Sequence, residues 1–325
     1  MRRAAALAFL PLIAAVTLAG CSSSSSSSSS KAAAAASPTA DTYKSVTVTG
    51  TFNKSPTVSI PKVTGSGALL TKTLIQGTGA KLTSTEGMVA NYVAYDWSGK
   101  TSKLLGSSYT QGAPSLFAGS LLPGLETALV GQKMGSRVLA VIPPADAFGS
   151  SGNSTEGIGA NDTLVFVVDM ISTFNTTSVT GKQTYNGGGA LPTVVAPKTA
   201  AAGPTLTINT KATPPKTLQV KDVIKGTGAT VKKGDDIAVQ YNGYIWRTGA
   251  SFQSSWSTPN EPFTTVIGEG QVIPGWDTGL VGQTVGSRVM LVIPPADGYG
   301  SSGSSQAGIK GTDTLVFVVD ILAAS

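Results

Sequence analysis

The sequence contains no histidine and a single cysteine. These two shortages exclude Ser-His-Asp and Cys-His nucleophilic catalysis, zinc sites of the usual His/Cys kind, and any disulfide within the chain. Charge is also scarce. Asp, Glu, Lys and Arg make up 12% of the 325 residues, about half the usual share of ~25%, so solubility falls to Ser, Thr, Gly and Asn. The formal net charge of +6 comes from Lys and Arg set singly or in pairs, with no aromatic-interleaved basic stripe, which argues against a nucleic-acid partner. What is present is 41% apolar residues, 39 Gly and 18 Pro, a mixture that builds packed cores from strands and turns rather than from charged amphipathic helices. The length suits two domains of roughly 100 to 150 residues.

Met1-Arg2-Arg3 followed by the apolar run Ala4 to Val16 reads as the charged and hydrophobic regions of a secretory signal, because a bilayer span needs about 20 apolar residues. The run ends in Leu18-Ala19-Gly20-Cys21, which resembles a bacterial lipoprotein lipobox. That resemblance implies that Cys21 carries a thioether-linked diacylglycerol, becomes the acylated first residue after cleavage, and tethers the protein to the cell membrane outside the cytoplasm. A buried free cysteine is the alternative. The serines from Ser22 to Ser30 that follow it cannot build a core around a thiol. Residues 1–20 are therefore expected as a signal peptide and 21–40 as a flexible Ser/Ala-rich tether.

Self-comparison divides the remainder. Val141-Ile142-Pro143-Pro144-Ala145-Asp146 returns as Val292-Ile293-Pro294-Pro295-Ala296-Asp297, Asp162 to Asp169 returns as Asp313 to Asp320, and Ile75-Gln76-Gly77-Thr78-Gly79 returns as Ile224-Lys225-Gly226-Thr227-Gly228. One module is written twice. The expected arrangement is a first domain over 41–175, a linker and leading strand over 176–215, and a second domain over 216–325. Asp236 to Tyr241 and Ser287 to Ile293 alternate or run apolar in short stretches bounded by Gly and Pro, as strands do. Thr314 to Leu322 is too apolar for an exposed strand and belongs mid-sheet. Ile273 to Gly282 predicts a short helix, with Pro274 suited to its first position, Ile273, Trp276 and Leu280 on one face, and Gly282 to stop it. The fold class expected is α+β, with two tandem rolls, each a curled antiparallel sheet around one short helix.

In the second module Val239-Gln240-Tyr241-Asn242-Gly243-Tyr244, Phe252-Gln253-Ser254-Ser255, Pro262-Phe263, Gly270-Gln271-Val272-Ile273-Pro274-Gly275-Trp276 and Ile293-Pro294-Pro295 leading to Gly298-Tyr299-Gly300 resemble, in that order, the FKBP-type peptidyl-prolyl cis-trans isomerases. The resemblance covers about 216–323. It implies a five- or six-stranded antiparallel sheet curled on a helix, and a pocket for a prolyl ring walled by Tyr241, Phe252, Phe263, Val272, Ile273, Trp276 and Phe317. Trp276 would be the floor, the Tyr299 hydroxyl and the Ile273 amide would orient a substrate carbonyl, and Ile309 would close one side. Periodicity alone would assign Trp276, Phe317 and Ile273 to the core. Tyr299 between two glycines points instead to exposure toward a ligand.

Gln253 stands where the family usually has Asp, and Gln271 where Glu is frequent. The first copy keeps Tyr92 and Phe166 but has Leu105 for Phe252, Gly106 for Gln253, Ser120 for Gln271, Leu125 for Trp276 and Phe148 for Tyr299. A looser, less polar pocket is expected there, one that binds weakly or serves as a spacer. The reading is a membrane-tethered, monomeric prolyl isomerase acting on Pro-containing polypeptides of the cell envelope or secreted pool. It needs no cofactor or metal, and macrolide binding is left open. The rival is a non-catalytic chaperone or scaffold that holds Pro-containing segments.

Overall fold

The computed structural model describes residues 41–258 and 261–325. The expected signal peptide, Cys21 and the tether lie outside the described residues. The first repeat runs through β1 (Thr47–Thr49), β2 (Thr57–Ser59), β3 (Leu70–Ile75), β4 (Glu86–Ser98), β5 (Thr101–Ser107), the single turn α1 (Ser108–Gln111), β6 (Ser115–Phe117), α2 (Pro123–Leu129), β7 (Arg137–Ile142) and β8 (Thr163–Asn175). The second runs through β9 (Thr193–Val195), β10 (Thr205–Thr207), β11 (Gln219–Ile224), β12 (Asp236–Ile245), β13 (Ser251–Ser254), β14 (Phe263–Val266), α3 (Pro274–Leu280), β15 (Arg288–Ile293) and β16 (Leu315–Ala324).

Each repeat is a six-stranded antiparallel sheet. The order is β3-β7-β8-β4-β5 with β6 also on β4, and β11-β15-β16-β12-β13 with β14 also on β12. The run Thr314 to Leu322 lies mid-sheet, as expected. Its side chains divide by parity: Leu315, Phe317, Val319 and Ile321 enter the concave core with Trp276 and Leu280 of α3, while Val316 and Val318 enter a second cluster on the convex face. Burial on both faces explains why the strand reads as a continuous apolar run. α3 begins at Pro274, whose missing N–H costs nothing at a first helical position, and the chain turns away at Gly282 with φ +88°.

The convex face departs from expectation. Residues 176–215, expected as linker and leading strand, contain the hairpin β9–β10, and the leading strand β11 begins only at Gln219. Val194 and Leu206 of that hairpin are buried against Val223, Tyr244, Trp246, Met290, Val292, Val316 and Val318. In the first repeat β1 and β2 pair likewise, and Val48 and Val58 pack on Val93, Trp97, Leu139, Val141, Val165 and Val167. The indole N–H of Trp97 donates to Val63 O at 2.9 Å and that of Trp246 to Ala212 O at 3.0 Å. Each sheet thus carries a cover supplied by the chain upstream of it, and the module is longer than its Gly-rich entry suggested.

Under each cover lies an ion pair. Arg137 is the cross-strand partner of Asp169, and Arg288 of Asp320. Both are bidentate, with Nε to Oδ1 at 2.6 Å and Nη2 to Oδ2 at 2.7 Å. The spare capacity of each carboxylate holds covering chain: Asp169 accepts from the Asn53 amide at 2.6 Å, and Asp320 from the Ser178 hydroxyl at 2.8 Å and the Val179 amide at 2.9 Å. The repeats also meet directly, as Phe174, Leu116 and Ala118 of the first pack on Ala238, Leu322 and Ala323 of the second. Among the described residues no helix is long and apolar enough to cross a membrane.

Truncating Asp320 to Ala leaves Arg288 buried without its partner, a change that costs about 3–5 kcal/mol for a buried pair. Urea denaturation of Asp320→Ala should show the second repeat losing that much stability, and a midpoint equal to wild type would contradict the anchoring role.

Candidate functional site

In the second repeat the concave sheet face and the N-terminus of α3 bring the aromatic residues together. Tyr241 on β12 meets the Trp276 indole edge-on, with ring centroids 5.1 Å apart at 88°, and Phe317 of β16 lies 5.4 Å from Trp276 at 86°. Phe263 completes the group at 5.9 Å from Tyr241 and 6.2 Å from Trp276, and Phe252 reaches Phe317 at 5.6 Å. T-shaped contacts of this kind suit the ring quadrupoles. They close only because Gly243 has no side chain: a Cβ there would stand 2.8 Å from both Phe252 and Phe317.

Exposure separates floor from rim. Trp276 is 3% exposed, while Phe263 is 39% and Tyr299 38% exposed. Val272 and Ile273 are half-buried against the same cluster, and Ile309 is buried in it. The Trp276 indole N–H is buried with no partner, and the Ile273 N–H donates to nothing among the described residues. Two donors of the site are thus unpaired. Gln253 makes no contact that holds the group: it is exposed on β13 opposite Gly243, on the cluster's side of the sheet, and its side chain makes no hydrogen bond among the described residues.

Residues not singled out from the sequence hold this geometry. The Ser255 hydroxyl accepts from the Tyr241 amide at 2.7 Å and donates to the Gln240 side chain. Ser108 does the same for Tyr92 at 2.9 Å, donating to Asn91, so the recurrence of this serine in both repeats was the available signal. Asp277 accepts from the Gly268 amide at 2.7 Å and the Gly270 amide at 2.8 Å, pinning the turn that leads to Val272 and Ile273. Arg247 clamps Asp313 at 2.8 and 2.9 Å, which holds that carboxyl below its ordinary range and fixes the end of the loop carrying Tyr299 and Ile309. Burial, with a smaller contribution from Tyr299, pushes the Tyr241 phenol up to about 12, so it remains a neutral hydrogen-bonding group at any physiological pH.

The first repeat retains part of this. Tyr92 meets Phe117 edge-on at 5.6 Å and lies 6.5 Å from Phe166. Strand register puts Ser115 at the place of Phe263, and Phe117 supplies an aromatic ring two residues further on. Leu125 is buried where the indole would lie, and Phe148 replaces Tyr299 without a hydroxyl. Among the described residues no three Asp, Glu, His or Cys side chains converge. Two cavities, of about 450 and 310 Å³, flank the segment 178–181 and are remote from the aromatic cleft.

A family model described as FKBP-type peptidyl-prolyl cis-trans isomerase matches residues 84–171 and again 228–322, together more than half of the chain. The chain belongs to the FKBP-type peptidyl-prolyl cis-trans isomerase family. It is 39% identical to an FK506-binding protein of Streptomyces anulatus over 110 residues, which are 34% of this chain and 88% of that one. With the FK506-binding protein 2B of Rhizopus delemar the identity is 46% over 113 residues, again 34% of this chain but 53% of its relative. Peptidyl-prolyl cis-trans isomerase FKBP9 of Rattus norvegicus matches at 30% over 204 residues, 63% of this chain and 29% of that protein. The chain therefore spans most of the first relative and smaller parts of the other two.

Hydrogen bonds to a charged group contribute about 1.5–3 kcal/mol. Asp277→Ala should lower stability by that order and speed amide exchange at Gly268 and Gly270. Exchange unchanged at both glycines would remove Asp277 from the architecture of the site.

Proposed function

We propose that the protein catalyses cis–trans isomerisation of X–Pro bonds, chiefly in its second repeat. The observation that carries this reading is the pairing, in that repeat alone, of an indole floor at Trp276 with an exposed Tyr299 on the rim. The barrier to rotation about the peptide bond is about 20 kcal/mol and arises from amide resonance. An aromatic, water-poor cleft binds the twisted, less polar amide better than the planar one, so rotation is accelerated without any bond being made or broken. The Ile273 N–H and the Tyr299 hydroxyl are the groups placed to hold a substrate carbonyl, and the prolyl ring lies against Trp276 between Tyr241, Phe263 and Phe317. A chain without histidine needs no imidazole for this chemistry.

We further propose that the substrates are Pro-containing segments of secreted or cell-envelope proteins, reached from a lipid anchor at Cys21. The lipobox-like stretch before that residue supports this location. Two of the relatives carry FK506 binding in their names, and macrolide binding at the same ring walls is part of this reading. A second reading, of a binding module without catalysis, is favoured for the first repeat by the replacement of its indole floor and rim hydroxyl by Leu125 and Phe148.

Trp276→Leu in the full chain makes the second floor resemble the first and should lower the isomerisation rate on a tetrapeptide by about tenfold or more, a cavity replacing the ring contact. A rate equal to wild type would place the activity elsewhere. Cys21→Ser should release the protein from membranes or leave an unprocessed precursor; a variant that is still processed and membrane-bound would refute the anchor.

A further inference from the structure

The two repeats differ in how they hold the loop that walls the pocket. In the second, Ile245 of β12 is buried beneath that loop with Ile309 and Leu315, and Asp313 at the loop's end is paired with Arg247. In the first, strand register puts Asp96 of β4 where Ile245 stands, on the same concave row as Tyr92 and Ala94. Asp96 is 5% exposed and its Oδ1 has no hydrogen-bond partner. The equivalent of Asp313 is Asp162, and the position of Arg247 is taken by Ser98. An apolar contact and an ion pair have become two neighbouring carboxyls.

We propose that Asp96 and Asp162 form a proton-operated latch on the loop carrying Phe148 and Ile158, closed in mildly acidic surroundings and loosened near neutrality. In the closed form the Asp96 carboxylic acid donates its proton to the Asp162 carboxylate. Asp162 in turn accepts from the Gly159 amide at 2.7 Å, which ties the shared proton to the loop backbone. The loop is stitched by Asn161 N to Gly149 O and by the mutual amide bonds of Asn153 and Ile158, so movement at Asp162 is passed to the segment bearing Ile158. Loss of the proton to solvent leaves two carboxylates side by side, one of them in the place of a buried isoleucine.

The groups acting on Asp96 are few. Burial, then the charge and hydrogen bond of Asp162, raise its pKa to about 6 against the ordinary 3.8. Lys103, its cross-strand partner on β5, opposes the rise. Lys103 also leans on the loop, with Nζ 3.0 Å from where a Gly157 Cβ would stand. On the other side β8 places Leu164 opposite Asp96, and Glu156 of the same loop acts on Tyr92. Because the folded-state value is raised, the stability from this group is complete below pH 3.8 and is lost as pH rises through about 6. The second repeat, with Ile245 and a charge-paired Asp313, has no counterpart.

Amide hydrogen exchange of the full chain, corrected for intrinsic rates and compared at about pH 5 and about pH 7.5, reads the latch directly, because proton binding to the closed form and not to the open one biases loop opening by about tenfold for every pH unit between the two midpoints. Amides of 153–162 should exchange about tenfold faster at the higher pH, while 304–313 of the second repeat stay unchanged. Asp96→Asn keeps a donor to Asp162 without a titrating proton and should protect the loop at both pH values. The latch is overturned if exchange in 153–162 is independent of pH in the wild type, or if Asp96→Asn keeps the wild-type dependence. It is also overturned if Ca²⁺ at the higher pH protects the loop as fully as protons do, which would make the pair a cation site. Should the variant fail to fold, the carbon-13 titration of the Asp96 carboxyl in the wild type decides alone, with a midpoint below about pH 5 counting against the proposal. The readout is loop protection, so it holds whether or not the first repeat isomerises any bond.

Discussion

An arginine and an aspartate facing one another across two central strands cannot be left half-wet on the outside of a sheet, nor buried without further partners. Removing two charges from water costs several kcal/mol for each ion, and mutual attraction repays this only when the remaining lone pairs and protons are satisfied. Each repeat meets most of the demand by drawing upstream chain over its convex face, although Arg137 Nη1 of the first stays buried without a partner. Asp169 takes the Asn53 amide and Asp320 takes Ser178 and Val179. The apolar residues of the covering hairpins then close over Val165, Val167, Val316 and Val318. The pair selects where the cover attaches, and the hydrophobic contacts supply most of the adhesion. With the outer face sealed, the inner face is free to curl on a seven-residue helix and expose one rim of aromatic rings.

That inner face shows how a shared frame supports unequal sites. Tyr241 and Tyr92 occupy the same register, and Ser255 and Ser108 brace them in the same way. The differences lie at the floor and rim, where Leu125 stands for Trp276 and Phe148 for Tyr299, and beneath the loop, where Asp96 stands for Ile245. None of these changes disturbs a ladder hydrogen bond, so the sheet tolerates them while the chemistry of the cleft changes.

Much of this was legible in the sequence because the strands are buried on both faces or alternate cleanly, and because Ile273 to Gly282 carries its own start and stop. Resemblance to the family placed Tyr241, Phe252, Phe263, Val272, Ile273, Trp276, Tyr299, Ile309 and Phe317 in one neighbourhood, and the structure brings them together there, with Gln253 exposed at its edge on β13. The hairpins were not legible. Three-residue strands such as Thr193–Val195 and Thr205–Thr207, set among Gly, Pro and Thr, have the composition of a linker. The usable clue was indirect: Arg137 and Asp169, repeated as Arg288 and Asp320, fall on the outward parity of strands otherwise largely apolar, and such a pair requires a roof. The bracing by Asp277 and Ser255 was hidden too, since short polar residues beside glycines read as turn chemistry.

The roof precedes the sheet it covers, and this sets an order on how the chain can mature as it is made from its N-terminal side. Ser178 waits for a partner 142 residues downstream, and the apolar side of the β9–β10 hairpin lacks Met290, Val292, Val316 and Val318 until β15 and β16 have emerged. The first repeat, already joined across 116 residues from Asn53 to Asp169, can close while the second is still arriving. Loop closure over such separations is slow, so for that interval the protein is a finished roll trailing a roof with no sheet beneath it.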